Sequence, residues 1–213
     1  MRSERGCERG FSLIESVMVV AVIVTLASIA VIRLEPYLQQ SQATAGLDQA
    51  KTILRQAREV AISQRRTILV KFVAAQASTP CPAAANVYNC IELFQMVVSG
   101  TPPTATQATN PFMTVPIENN IQFLTYSTEV DTPDGFGISG ATNGIEFGGV
   151  GGGPTSGMEF QSDGTFTDGN GNLINGTVFL GAKNMRASAG AITVMGGTGR
   201  IRAYHGTGSG WWN

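Results

Sequence analysis

The 213-residue sequence has one histidine, three cysteines and few charged residues, and each scarcity excludes a class of protein. His205 lies in a glycine-rich tail, and no serine or cysteine stands at a spacing that would indicate a catalytic pair with it. The glycine-rich run at residues 148–153 lacks the Lys-Ser/Thr step that a P-loop requires. The sequence therefore predicts no enzyme and no cofactor.

Metal ligands are equally scarce. The cysteines have no histidine neighbours that would complete a zinc site. Residues 168–172 read Asp-Gly-Asn-Gly-Asn, with oxygen-bearing side chains at alternate positions as in calcium loops. That pattern would next require glycine and later glutamate, where this chain has Leu173 and Phe179. We interpret the stretch as a structural turn, with Ca²⁺ near Asp168 as the alternative, and predict no metal site.

Positive charge is missing from the long central part of the chain. No lysine or arginine occurs between Lys71 and Lys183, whereas the same stretch contains nine acids. The nine acids are Glu92, Glu118, Glu129, Asp131, Asp134, Glu146, Glu159, Asp163 and Asp168. The chain thus has an acidic middle between two basic regions, and its isoelectric point near 5.8 does not favour a dedicated nucleic-acid binder.

One long apolar run stands near the start. Ser16 to Ile32 is a run of 17 residues without a charge or a proline. Together with Phe11 to Ile14 it forms a 22-residue helix candidate that only Glu15 interrupts. At ~1.5 Å per residue this helix reaches roughly 30 Å, the thickness of a bilayer core. The first ten residues carry a net positive charge, which predicts a cytoplasmic N-terminus.

The junction before this run reads Gly10-Phe11-Ser12-Leu13-Ile14-Glu15 and resembles the class III signal of type IV pilins and type II secretion pseudopilins. The resemblance implies that prepilin peptidase cuts between Gly10 and Phe11 and that Phe11 becomes an N-methylated terminus. It also implies that Glu15 pairs with the amino terminus of a neighbouring subunit during assembly. The alternative for Glu15 is a helix-start acid favoured by the helix dipole. The alternative for the segment is an ordinary secretory signal or signal anchor, cut near Ala27 or not at all, ahead of a periplasmic enzyme.

The cysteine spacing agrees with export. Cys7 would leave with the leader, so the mature chain would keep Cys81 and Cys90, nine positions apart. The pair predicts a disulfide that closes a short loop in an oxidising compartment, which the loop-entropy model values at ~2–3 kcal/mol. Two free thiols are the alternative.

A second helical pattern follows the apolar run. The residues that recur at steps of three and four are Leu47, Ala50, Leu54, Ala57 and Ala61. This seam is expected to pack on a sheet and to leave Lys51, Arg55 and Arg58 outside. We predict one helix from Phe11 to Gln64.

Alternating patterns after the helix predict about eight short strands, which are mainly antiparallel and give an α+β fold. The predicted strands are Thr67–Val73, Cys90–Val98, Asn120–Ser127, Met158–Gln161, Thr165–Thr167, Thr177–Gly181, Ala191–Met195 and Arg200–Tyr204, with Ile145–Phe147 as an optional further short strand. A hairpin on an Asp-Gly turn joins Met158–Gln161 to Thr165–Thr167. Ser99 to Pro116, rich in Thr, Pro and Ala, is predicted to be a loop.

Two further stretches resemble the GspH/FimT branch of minor pilins. They are F-x-x-D-G-x-F at Phe160–Phe166 and G-R-I-R at Gly199–Arg202. The resemblance implies the type IV pilin fold, with a long N-terminal helix packed on small antiparallel β-sheets. The predicted division is a leader at 1–10, a transmembrane or filament-core helix at 11–32, its amphipathic continuation at 33–66 and a periplasmic β-rich domain at 67–213.

The basic end of the chain leaves two interpretations open. Arg200 and Arg202 would share one face of a strand while Ile201 turns inward, and with Lys183 and Arg186 they could hold a phosphate backbone. FimT-type minor pilins bind DNA through a C-terminal G-R-x-R motif, which this end matches. Alternatively, the motif is a structural hairpin whose arginines pair with the acidic middle. The terminal Trp211-Trp212 would stack on bases or, as we prefer, cover a sheet edge.

The resemblance implies a minor pilin or pseudopilin, a structural subunit that helps initiate or cap a type IV pilus or a type II secretion pseudopilus. Its implied partners are other pilins through the N-terminal helix, prepilin peptidase, the inner-membrane assembly platform and the membrane. The implied location is the bacterial inner membrane, with a single pass, a cytoplasmic N-terminus and a periplasmic globular domain, and then the filament. The alternative is a DNA-binding minor pilin that acts in DNA uptake.

Overall fold

The computed structural model describes residues 12–74, 88–99, 104–117, 121–127, 129–138, 143–147, 158–206 and 210–212. The chain divides into two compact units, Met1–Leu38 and Gln39–Asn213. The predictions for Gly10, Phe11 and Cys81 lie outside the described residues.

Helix α1 runs from Leu13 to Gln64 and comprises 52 residues, which confirms the predicted helix from Leu13 onward. It ends where Arg65 adopts a left-handed conformation and the backbone N–H of Arg66 donates to the carbonyl of Ala61. Within the described residues, no helix is both apolar and long enough to cross a membrane.

The seam predicted for the second part of the helix is confirmed. All five predicted members, Leu47, Ala50, Leu54, Ala57 and Ala61, are buried, and Ala43 and Ile53 are buried beside them. These side chains join the main core cluster with the aliphatic and aromatic residues of the strands. Alanine at most seam positions lets the helix approach the strands closely, while Leu47 and Leu54 fill the space between them.

The described residues form twelve strands, and every pairing between them is antiparallel. In chain order they are β1 (Ile68–Ala74), β2 (Tyr88–Ser99), β3 (Thr104–Gln107), β4 (Met113–Pro116), β5 (Ile121–Phe123), β6 (Ile145–Phe147), β7 (Met158–Phe160), β8 (Phe166–Thr167), β9 (Gly176–Ala182), β10 (Gly190–Met195), β11 (Arg200–Gly206) and β12 (Trp211–Trp212). A short 3₁₀ turn at Arg186–Ser188 joins β9 to β10.

The strand order is β12-β11-β10-β9-β5-β2-β1-β7-β8, with β3 and β4 paired to β2 and β6 paired to β9. Separate small sheets were expected, but β5 pairs with both β2 and β9 and so joins the strands into one path. The loop predicted from Ser99 to Pro116 is wrong in part, since β3 and β4 form there against the long strand β2. The third predicted strand is shorter than expected and covers Ile121–Phe123.

The central strand β9 is buried at all seven positions and contributes to two clusters. Val178 and Leu180 belong to the main core that includes the helix seam. Phe179 belongs to a second cluster with Ala191 and Tyr204. Because successive side chains of a strand point to opposite faces, the second cluster marks the face that points away from the helix.

Candidate functional site

The G-R-I-R motif occupies the turn before β11 and the first residues of that strand. Ile201 is buried in the main core, whereas the side chains of Arg200 and Arg202 are 46% and 41% exposed. The alternation predicted for this strand is therefore confirmed. The two guanidinium groups lie on the outer face, the same face as the second cluster.

A single carboxylate from the acidic middle meets both arginines. Asp134 Oδ1 lies 3.0 Å from Arg202 Nη1 and 3.7 Å from Arg200 Nη2. The hydroxyl of Thr193 donates to Asp134 Oδ2 at 2.5 Å. The Asp134 side chain is only 9% exposed. We call Asp134, Thr193, Arg200, Arg202 and Tyr204 the Asp134 cluster.

The electrostatics of this cluster favour the ionised carboxylate. Burial acts to raise the pKa of Asp134. Hydrogen bonds from Thr193 and Tyr204, together with the charges of Arg202 and Arg200, outweigh burial and lower that pKa below its ordinary value. The pKa of Arg202 is raised, first by its hydrogen bond with Tyr204 and also by the charge of Asp134. Of the two interpretations of the motif, the ion pair with the acidic middle is thus present in the structure.

The other two predicted basic residues lie elsewhere. Arg202 is level with Thr177, because both pair with Thr193 of β10. Lys183 follows the opposite end of β9, about 17–20 Å further along at ~3.3 Å per residue. Arg186 lies in the 3₁₀ turn just beyond. The structure therefore brings Arg200 and Arg202 together but separates them from Lys183 and Arg186.

The glycine of the motif has a structural role. Gly199 has a φ of 58°, which side chains rarely adopt. A Cβ at this position would collide with the backbone carbonyl of Gly164 in the Asp-Gly turn. Glycine is required here by close packing of two turns, whatever the arginines bind.

Arg58 is a residue whose role the sequence interpretation missed, since we expected it outside the seam. It is half-buried; its Nε–H donates to the carbonyl of Gly164 at 3.1 Å and its Nη2 to that of Thr198 at 3.0 Å. The signal was present in the spacing, because Arg58 lies four residues after Leu54 and three before Ala61, on the side of the seam. Arg58 joins the helix to the turns that hold Gly164 and Gly199.

The Asp168 turn is closed by its own hydrogen bonds. Asp168 Oδ1 accepts from the backbone N–H groups of Asn170 and Asn172, and Oδ2 accepts from the Asn172 amide. These bonds lower the pKa of Asp168, the one from the Asn172 side chain most of all. Across the described ranges, no three His, Cys, Asp or Glu residues are grouped to hold a metal ion. The hydrogen bonds accepted by Asp168 agree with the interpretation of residues 168–172 as a structural turn.

The remaining predicted residues are placed individually. Glu15 lies exposed in the first turn of α1. Cys90 is fully buried in β2 and is disulfide-bonded; its pairing with Cys81 stays a prediction. Trp211–Trp212 form strand β12, which pairs with β11 at the edge of the sheet as predicted. The Trp211 ring packs on the outer face, 5.9 Å from that of Phe179, and its indole N–H donates to the carbonyl of Val130.

No protein-family model matches the chain, and no curated protein is significantly similar to it. Among solved structures, the chain is similar to the type IV minor pilin FimU of Pseudomonas aeruginosa, with 12% identity, a TM-score of 0.46 and coverage of 83% of this chain and 97% of that one. It is also similar to the minor pseudopilin EpsH of the Vibrio cholerae Type 2 Secretion System, with 12% identity, a TM-score of 0.43 and coverage of 77% and 97%. Structural similarities at this sequence identity and TM-score establish no function for this chain.

Proposed function

We propose that this chain is a minor pilin or pseudopilin, a structural subunit that enters a type IV pilus or a type II secretion pseudopilus and helps to initiate or cap its assembly. The observation that carries the proposal is the exposed apolar surface at the start of α1. Leu13 is 83% exposed and Met18 67%, and every described side chain up to Ser28 is exposed. Apolar surface of this extent requires a partner.

The N-terminal motif suggests what covers this surface. Prepilin peptidase would remove residues 1–10, and Phe11 would become the methylated terminus. Residues 11–32 would rest in the inner membrane until the assembly platform transfers them into a bundle of similar helices. Glu15, the one carboxylate in this segment, would then pair with the amino terminus of a neighbouring subunit. The β-rich unit would stay in the periplasm.

The mature N-terminus tests this proposal directly. We expect mass spectrometry of the native protein to find a chain that begins at N-methylated Phe11. Replacing Gly10 by valine should leave the leader attached, because the peptidase then lacks the glycine at which it cuts. A conservative change further along, Val17→Ile, should leave processing unchanged. A native chain that begins near residue 28 would contradict the proposal and favour a cleaved secretory signal.

A second candidate function, DNA binding by a minor pilin in DNA uptake, is supported by one observation. The guanidinium groups of Arg200 and Arg202 are nearly half exposed and share one face, as contact with a phosphate backbone requires. Against it, Asp134 already occupies both groups, and a nucleic acid would have to compete with that carboxylate. We therefore rank it second.

Retention of duplex DNA separates the two candidates. For the variant with Arg200→Gln and Arg202→Gln, we expect DNA retention equal to that of the wild type, because both arginines are already paired with Asp134. The matched control is Lys183→Gln with Arg186→Gln, which removes the same charge from the other end of the strands. If only the variant with Arg200→Gln and Arg202→Gln loses DNA retention while it remains folded, DNA binding replaces the purely structural role as the proposed function.

A further inference from the structure

The stretch from Leu93 to Ile117 is the longest part of the chain without a charged side chain, and it contains 25 residues. It includes the second half of β2 and all of β3 and β4. Within it, residues 99–111 contain four threonines, one serine and three prolines. A composition rich in threonine and proline is typical of segments that carry O-linked sugars.

Strand β3 forms an open edge of the sheet. It pairs on one side with the end of β2, and all four of its residues are exposed. The backbone N–H of Ala108 donates to the carbonyl of Gln95, so the alternation of an antiparallel pair turns the backbone groups of Ala105 and Gln107 away from β2. Among the strands that the structure describes, none pairs with this side of β3. The edge therefore offers hydrogen-bonding groups to other chains.

Apolar side chains are exposed close to this edge. Val98 is 67% exposed, and Val97 and Phe112 are each exposed by about two-fifths. Proteins commonly protect open edges with charged side chains, lysine above all, but this stretch has none. The shortness of β3 limits pairing with another strand but does not cover these apolar groups. A surface of this kind is expected to need a cover.

Thr109 offers a hydroxyl at this edge that is accessible to an enzyme. It is exposed and lies in the bend between β3 and β4. Among the described residues, its hydroxyl has no hydrogen-bond partner. In contrast, the hydroxyl of Thr106 donates to the carbonyl of Val97, and that of Thr52 donates to the carbonyl of Asp48. A bend thus presents its hydroxyl to solvent, whereas the strand and the helix hold theirs against the backbone.

We infer that Thr109 is an O-glycosylation site and that its sugar covers the β3 edge. The Oγ1 atom attacks the anomeric carbon of a sugar carried on a diphosphate donor, and a glycosidic C–O bond forms. The bond from that carbon to the donor phosphate breaks, and the diphosphate leaves with the electron pair. The hydroxyl proton passes to a base of the transferase. A bulky, hydrated sugar would keep other chains away from Ala105 and Gln107.

Mass spectrometry of the native protein, purified from the cells that produce it, tests the site. Peptides that contain residue 109 should exceed their unmodified mass by one or more sugar residues, and electron-transfer fragmentation should assign this mass to Thr109. Thr109→Val should lose the added mass completely, because valine has a similar shape but no hydroxyl. Thr109→Ser should keep it, because the hydroxyl remains.

The matched control is Thr52→Val, which removes the hydroxyl of an exposed threonine in the helix. It should leave the added mass on the peptide with residue 109 unchanged. The proposal is overturned if the native peptide has its unmodified mass, or if the added mass persists in Thr109→Val. The N-terminal peptide of the same digest reports separately on cleavage before Phe11, so this result and the test of the proposed function remain distinguishable.

The covering role is tested by sedimentation of the two variants at residue 109. Without the sugar, Thr109→Val should show a larger aggregated fraction than Thr109→Ser. Adding Ala105→Lys to Thr109→Val should reverse this increase, because a lysine on an open edge opposes pairing with a second edge. Equal aggregated fractions for the two variants at residue 109 would overturn the covering role.

Discussion

We expect the free energy of unfolding to fall by about 2–5 kcal/mol when Leu54 is replaced by alanine. This side chain is fully buried in the helix seam and belongs to the main core cluster. Alanine keeps the helix propensity, so the loss reflects buried apolar surface and the cavity left behind. Urea denaturation followed by circular dichroism measures the change.

The control for this variant is the neighbouring exposed residue. Gln56→Ala should change the free energy of unfolding by no more than about 0.5 kcal/mol. If Leu54→Ala is as stable as Gln56→Ala, the helix does not pack on the sheet through this seam. The fold described above would then be wrong at its centre.

Asp134→Asn should lower the free energy of unfolding by about 1–3 kcal/mol at neutral pH. The carboxylate is nearly buried, and its loss leaves Arg200 and Arg202 without their common partner. The lower part of this range is expected, because both arginines are more than one-third exposed and water screens their charges.

The effect of Asp134→Asn should depend on pH with a definite sign. The folded-state pKa of Asp134 is lowered, so its contribution is fully present above the ordinary aspartate pKa of about 3.9. It is lost as the pH falls through the lower, folded-state pKa. The difference between wild type and variant should therefore shrink in strong acid. A constant difference down to pH 2 would contradict the assignment.

The elements that the sequence predicted well are those with a local signal. The seam from Leu47 to Ala61 repeats with helical spacing, and the Asp-Gly turn lies between two short apolar stretches, so both emerged at the predicted places. In contrast, β3 and β4 are built from Thr-Ala-Thr-Gln and Met-Thr-Val-Pro, which have weak patterns of their own. They become strands because the long strand β2 offers them pairing partners, and no local rule detects that.

The candidate sites show the same limit. The sequence placed Arg200 and Arg202 on one face, but it named the whole acidic middle and not Asp134 as their partner. Asp134 lies 68 positions from Arg202 along the chain, and only the folded sheet brings the two together. The role of Arg58 was missed because this residue was assigned to solvent, although its spacing from Leu54 and Ala61 places it beside the seam.

The bond between Arg58 and the carbonyl of Thr198 has a consequence for the order of synthesis. These partners are 140 positions apart, so the helix leaves the ribosome long before the hairpin that covers it. Until then the nascent chain carries an uncovered apolar seam and is prone to aggregate. A truncation that removes the last two strands of this unit would thus leave the whole domain unfinished, even though the helix itself is intact.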